Sequence, residues 1–137
     1  MLPAFSRPIG ALLIAAVLAS CTPLPCGPAE TLYAAQLFFG RAIGTQGEVG
    51  ESEFQDFLAG MVTPAFPDGL TVIDGQGQWK DAGTGALVRE RIKVVTILVD
   101  DPAAVRPRLD AIADAYKQRF RQDAVAIVIA PACVAFR

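Results

Sequence analysis

The chain has 137 residues, 12 Lys plus Arg against 14 Asp plus Glu, a net charge of -2, 53% hydrophobic side chains and no histidine. This length supports one core and not two, and the missing histidine removes Ser-His-Asp and Cys-His catalysis and His-built zinc sites. A balanced charge with no Lys/Arg-rich run argues against nucleic acid as a partner, and the apolar content argues against disorder.

Residues 1–20 read as an export signal. Arg7 precedes the uncharged run IGALLIAAVL at 9–18, which fits the roughly 7 to 15 residues of a signal core and falls short of the ~18 needed to span a bilayer. The run ends in Leu18-Ala19-Ser20-Cys21, which resembles the bacterial lipobox. That resemblance implies a diacylated Cys21 as the first mature residue and a membrane partner reached through the N-terminal lipid. Residues 21–30, with Pro23, Pro25 and Pro28, form the lipidated cysteine and an extended tether. Thr22, rather than an aspartate, follows the cysteine. By resemblance to sorted lipoproteins it points to the periplasmic face of the outer membrane in a Gram-negative host.

With Cys21 acylated, Cys26 and Cys133 remain. An even pair in an oxidising compartment predicts a disulfide; the alternative is a buried apolar Cys133 and a free thiol at Cys26.

The folded part is expected over 31–137. Residues 32–43 (LYAAQLFFGRAI) predict a strand. Ser52 then reads as the N-cap of a helix with Phe54, Phe57, Leu58, Met61 and Val62 on one face, stopped by Pro64 and Pro67. Residues 69–81 predict a second strand, with Gly75 and Gly77 suggesting a bulge, and residues 81–85 (DAGTG) a hairpin turn. Residues 87–99, rich in β-branched side chains, predict a central strand. Pro102 opens a helix with Val105, Leu109, Ile112, Tyr116 and Phe120 as its apolar stripe, its start open to delay by Pro107. Residues 124–136 give a last strand that Pro131 assigns to a sheet edge. The order βαββαβ is that of an α+β, ferredoxin-like fold, a four-stranded antiparallel sheet with two helices on one face. In that topology the last strand lies beside the first and carries Cys133 toward Cys26.

Strands 94–99 and 125–129 are apolar on both alternating sets. Two helices cover one sheet face, so the other needs a second subunit, a ligand or a loop, and a sheet-to-sheet homodimer is the simplest solution.

The segments FFGRAIG, FQDFLAGMVTP, FPDGLTVIDGQGQW, KVVTILVDD and AYKQRFRQDAV resemble a family of short bacterial secreted proteins and lipoproteins known only as a domain of unknown function. The likeness runs from about residue 36 to 136. Its most specific part is Phe66-Pro67-Asp68-Gly69-Leu70-Thr71 followed by Gly77-Gln78-Trp79. The resemblance implies the βαββαβ order and an exported setting, and brings no activity, cofactor or catalytic residue. Arg121 stands where the family pattern leads one to expect a glycine.

Candidate ligand contacts gather near the central hairpin. Arg89, Arg91 and Lys93 project to one side of their strand while Glu90 faces the other way. Such a row suits an anionic ligand such as a phosphate or lipid headgroup, or is simply a solvated strand end. Trp79 offers a binding platform or a cap on the core, and Asp68 a cleft lip or a Pro-Asp-Gly turn. The DGQGQ segment at 74–78 lacks the Lys-Ser/Thr ending of a phosphate loop and the acid spacing of a calcium loop. No cofactor or metal is therefore expected. Two functions follow. The first is a noncatalytic, lipid-anchored envelope module that binds itself or an envelope protein through the open sheet face. The second is a small-ligand binder or cofactor-free enzyme that uses this face as a pocket, built from Asp, Glu, Tyr, Lys or Arg.

Overall fold

The structure, a computed structural model, describes residue 26 and residues 29–137. The export signal and Cys21 lie outside the described residues.

β1 (Glu30–Gly40) buries Ala35, Leu37 and Phe39 on one face and sets Ala34, Gln36 and Phe38 on the other. The strand begins before residue 32 and ends at Gly40, after which Arg41 turns inward. α1 (Glu51–Phe57) is capped by Gly50 rather than Ser52, with the Glu53 carboxylate accepting the Gly50 N–H at 2.8 Å. The helix then widens into a π turn (Leu58–Val62) and closes with the single turn α2 (Thr63–Ala65). Pro64 thus sits inside the helical segment. In a regular helix its ring would clash with the Gly60 carbonyl four residues earlier, and the widened turn spans that carbonyl.

β2 (Thr71–Lys80) and β3 (Leu87–Val99) pair without interruption from Thr71↔Thr96 to Lys80↔Leu87, so Gly75 and Gly77 make no bulge. They make room instead: a Cβ on Gly77 would lie 2.9 Å from an Ile92 methyl. Asp81 closes the hairpin, its N–H donating to Ala86 at 2.9 Å and its carboxylate accepting from Thr84. α3 (Pro102–Phe120) starts where expected, with Asp101 accepting from the N–H groups of Ala103 and Ala104; Pro107 is tolerated inside it.

Helix α3 ends on Arg121, which among the described residues is the non-glycine residue that adopts a left-handed backbone, φ 53° and ψ 46°. The glycine expected from the family pattern would carry no Cβ penalty there. Arg121→Gly should therefore raise the unfolding free energy by about 1 kcal/mol, read as a higher denaturant midpoint; a lower midpoint would mean that the Arg121 side chain stabilises this helix end.

β4 (Ala126–Val134) completes the sheet in the order β2-β3-β1-β4, all pairs antiparallel. The fold is the predicted α+β, ferredoxin-like βαββαβ layout, with β3 and β1 central and Pro131 on an edge strand. Cys133 pairs with Thr31 in the ladder and forms a disulfide with Cys26. The core lies between the sheet and the helices. Its centre is an aromatic cluster in which Phe39 meets Tyr116, Phe54 and Phe57 at ring-centroid distances of 4.6, 5.8 and 5.9 Å, mostly edge to face.

Candidate functional site

Two surfaces concentrate the chemistry: a charged cluster where α1 meets the hairpin, and the sheet face that no helix covers.

In the cluster, strand alternation places Arg89, Arg91 and Lys93 on the helix side of β3, as their spacing requires. Each already has a partner. Lys93 is buried, and its Nζ lies 2.8 Å from both the Glu51 and Asp74 carboxylates and 5.5 Å from the centre of the Phe54 ring. Arg91 bonds Glu48 at 3.1 Å, and Arg89 donates to the Gln78 side chain at 2.9 Å. Arg41, also buried, donates to the Val49 carbonyl at 2.7 Å and reaches Glu51 at 3.4 Å.

Burial by itself would lower the Lys93 pKa, but the Asp74 and Glu51 contacts outweigh it and hold the ammonium above its ordinary value. Glu51 is held below its ordinary value, mainly by the Lys93 hydrogen bond. Its pairing therefore supports the fold above the ordinary carboxylate value and is lost as pH falls through the depressed one. A buried ion replaced by an apolar chain of similar shape is often neutral, whereas a buried charge without its partners is costly. Lys93→Met should change unfolding free energy by less than about 1.5 kcal/mol and flatten the acid limb of stability. Glu51→Gln with Asp74→Asn should lower the melting temperature distinctly more. Urea unfolding of both at pH 7 and pH 4 tests that order; the reverse order would make the ion pairs themselves the source of stability.

Glu90 faces the other way, as expected. Its carboxylate crosses the bare backbone of Gly40 and accepts the Ala42 N–H at 2.7 Å, and a Cβ on Gly40 would collide with it. Burial pushes the Glu90 pKa up, against the opposing hydrogen bonds from Ala42 and Arg41. Sequence reading missed Arg41 and Glu51, because only the packing of α1 on the sheet brings Glu51 to Arg41 and Lys93. Tyr116 is core, its hydroxyl donating to the Gly40 carbonyl at 2.9 Å, with burial driving its pKa up.

Asp68 lines a shallow recess of about 290 Å³ with Phe66, Leu98 and Arg108. Arg108 stacks 4.8 Å from the Phe66 ring centre and donates to the Ala65 carbonyl. Asp68 is far from the cation row in the fold, so the candidate contacts do not form one pocket. Trp79 does not cap the core. It lies on the uncovered face, pairs with Val88 and is 43% exposed.

That face carries Phe38 of β1, Ile92, Val94 and Leu98 of β3, Ile73 of β2 and Val128 of β4. Ile73, Val128 and Leu98 are 55%, 45% and 41% exposed. Its central polar side chains satisfy each other, Gln36 donating to Thr96 at 3.1 Å.

A family model described as "Protein of unknown function (DUF3574)" matches residues 34–136. The chain belongs to this family. No curated protein matches the sequence. Among solved structures, the chain is similar to a phage SAM lyase in complex with S-methyl-5'-thioadenosine, with TM-score 0.59 and 14% identity over 75% of this chain and 90% of that one. The apo form of a phage SAM lyase gives TM-score 0.57 and 14% identity over 87% and 99%. CutA from Synechococcus elongatus gives TM-score 0.48 and 13% identity over 75% and 78%. At these identities the likeness to the lyase shows the fold alone.

Proposed function

We propose that this family member is an exported, lipid-anchored protein of the cell envelope, a noncatalytic interaction module whose uncovered sheet face binds protein. Acylation at Cys21, a tether over 21–30 and the domain over 31–137 fix its geometry at the periplasmic side of the outer membrane. The disulfide between Cys26 and Cys133 supports an oxidising compartment.

The observation that carries the reading is the uncovered face itself. An apolar face of this extent lies at the upper end of the largest patches that monomers expose, and such patches are often functional; a catalytic pocket needs convergent unpaired polar groups, whereas here Gln36 and Thr96 bond each other. Four strands about 4.8 Å apart and about nine residues long make a face of roughly 19 by 30 Å. Two such faces together bury roughly 1,100 Å², which clears the ~1,000 Å² of a specific interface. A second copy is the simplest partner, since it brings the same apolar surface.

Native mass spectrometry of the mature protein, purified from an envelope fraction without denaturation, tests this reading. Two or more subunits with no mass beyond that of the acylated chains, and a lower subunit count for Val128→Asp, are expected. A monomer carrying a small mass beyond its own lipid would overturn it in favour of a ligand-binding pocket. For the anchor, Cys21→Ala should move the protein from the membrane to the soluble fraction; continued retention would argue for an uncleaved apolar segment.

A further inference from the structure

The two edges of the sheet differ in what they offer a neighbour. The backbone direction of every residue follows from two hydrogen bonds. Asp81 N–H donates to Ala86 at 2.9 Å, and alternation from that pair turns the odd-numbered residues of β2 toward β3 and the even-numbered ones outward. Arg41 N–H donates to Arg91 at 3.0 Å, which turns the odd-numbered residues of β3 toward β1 and leaves its even-numbered ones for β2. Carried across β1 to β4, the same alternation turns Pro131 outward. The outer edge of β4 therefore lacks a donor midway, a common way to blunt a free edge.

Strand β2 has no such defence. It runs ten residues without proline or bulge. Among the described residues no hydrogen bond reaches the outward backbone groups of Asp74, Gln76, Gln78 and Lys80, and all four side chains are exposed. A long free edge of this kind is a template for another strand.

We propose that the β2 edge pairs with the β2 edge of a second copy, antiparallel about a two-fold axis at Gly77, giving a continuous eight-stranded sheet. The sequence around that axis is self-complementary. Gln76 falls opposite the partner's Gln78, and both present outward backbone groups, so each pair exchanges two N–H to carbonyl bonds. One step further out, Asp74 falls opposite the partner's Lys80 on the helix side of the sheet, and symmetry makes that ion pair twice. Asp74 uses one oxygen, Oδ1, on its own Lys93, which leaves Oδ2 for the incoming ammonium. On the opposite side the partner's Trp79 lies across Gly75, where no side chain obstructs it; an aromatic over a strand glycine is a known stabilising cross-strand pair. Shifting the pairing by one hydrogen-bonded step either way removes Lys80 from Asp74, so charge selects this register. The contact is separate from the sheet-face association, because it uses edge backbone and leaves both uncovered faces free.

Zero-length carbodiimide coupling of the full chain, prepared as an equal mixture of light and heavy-nitrogen protein, tests the proposal. Asp74 and Lys80 lie six residues apart on one straight strand, roughly 20 Å, so an amide between them forms only between copies. The expected result is an Asp74–Lys80 cross-linked peptide of mixed isotope composition in the dimer band. Gln78→Pro removes an outward N–H that β3 does not use, and should cut the yield of that peptide at least tenfold while the Cys26–Cys133 disulfide is kept. A cross-linked dimer without the Asp74–Lys80 peptide, or an undiminished yield in Gln78→Pro, would overturn the proposal. Val128→Asp should leave the peptide in place, which separates this edge contact from the sheet-face reading.

Discussion

Phe39→Ala should lower the unfolding free energy by about 3 to 5 kcal/mol, the range for emptying a fully buried aromatic position. Phe39 is the hub of the core. It is fully buried at the end of a central strand and touches the rings of Phe54 and Phe57 from α1 and of Tyr116 from α3, so one side chain joins the sheet to both helices. Those rings meet mainly at their edges, and the geometry holds them apart once the central ring is gone, leaving a cavity rather than a collapsed core. A domain of this size has about 5 to 15 kcal/mol in total, so the variant should be partly unfolded at 37 °C. Phe38→Ala is the internal control. The neighbouring ring lies on the uncovered face, and its loss should cost clearly less in a folded monomer while weakening association through that face. Urea unfolding with an unchanged slope measures both; equal losses at the two positions would mean that the uncovered face is itself packed in the folded monomer.

The contrast between Phe38 and Phe39 also shows what sequence alone could give. Apolar β-branched runs and one helical stripe carried the fold, because the runs at 87–99 and 124–136 mark strands without needing alternation and the stripe from Val105 to Phe120 buries one recognisable surface. Pro131 read as an edge residue for a sound reason, since the missing N–H would cost a central strand a ladder bond. Glycines misled. Gly75 and Gly77 lie in a regular ladder and answer to the bulk of Ile92 on the neighbouring strand, a cause invisible until β2 and β3 are in register. The same blindness affected the charges. The Arg89, Arg91 and Lys93 row was legible from its spacing. The pairing of Arg91 with Glu48 and of Lys93 with Glu51 was not, because those carboxylates arrive from a loop and a helix. Trp79 misled differently: tryptophan is usually core, and only the pairing with Val88 places it on the uncovered face.

Removing the disulfide, by Cys26→Ser together with Cys133→Ser, should cost about 2 to 4 kcal/mol. The bond closes a sequence separation of 107 residues, nearly the whole folded chain, so its effect falls chiefly on the unfolded ensemble, which it denies its most extended conformations. In the folded state its reach is short. Cys133 is already held opposite Thr31 by the β1–β4 ladder, which continues through Val134 opposite Glu30. Two measurements separate these contributions. Denaturant unfolding of the double variant gives the total loss. Native-state hydrogen exchange then reports whether β4 frays near residues 132–134 or keeps its protection there relative to the global value. A large global loss with little local fraying is expected, because eight other pairs hold β4 to β1. Loss of protection confined to that end, with global stability unchanged, would instead make the bond a local clip for the chain entering the first strand. The first outcome also bears on where the protein folds: a domain that draws several kcal/mol from one disulfide is distinctly more stable in an oxidising compartment, the setting that the proposed function requires.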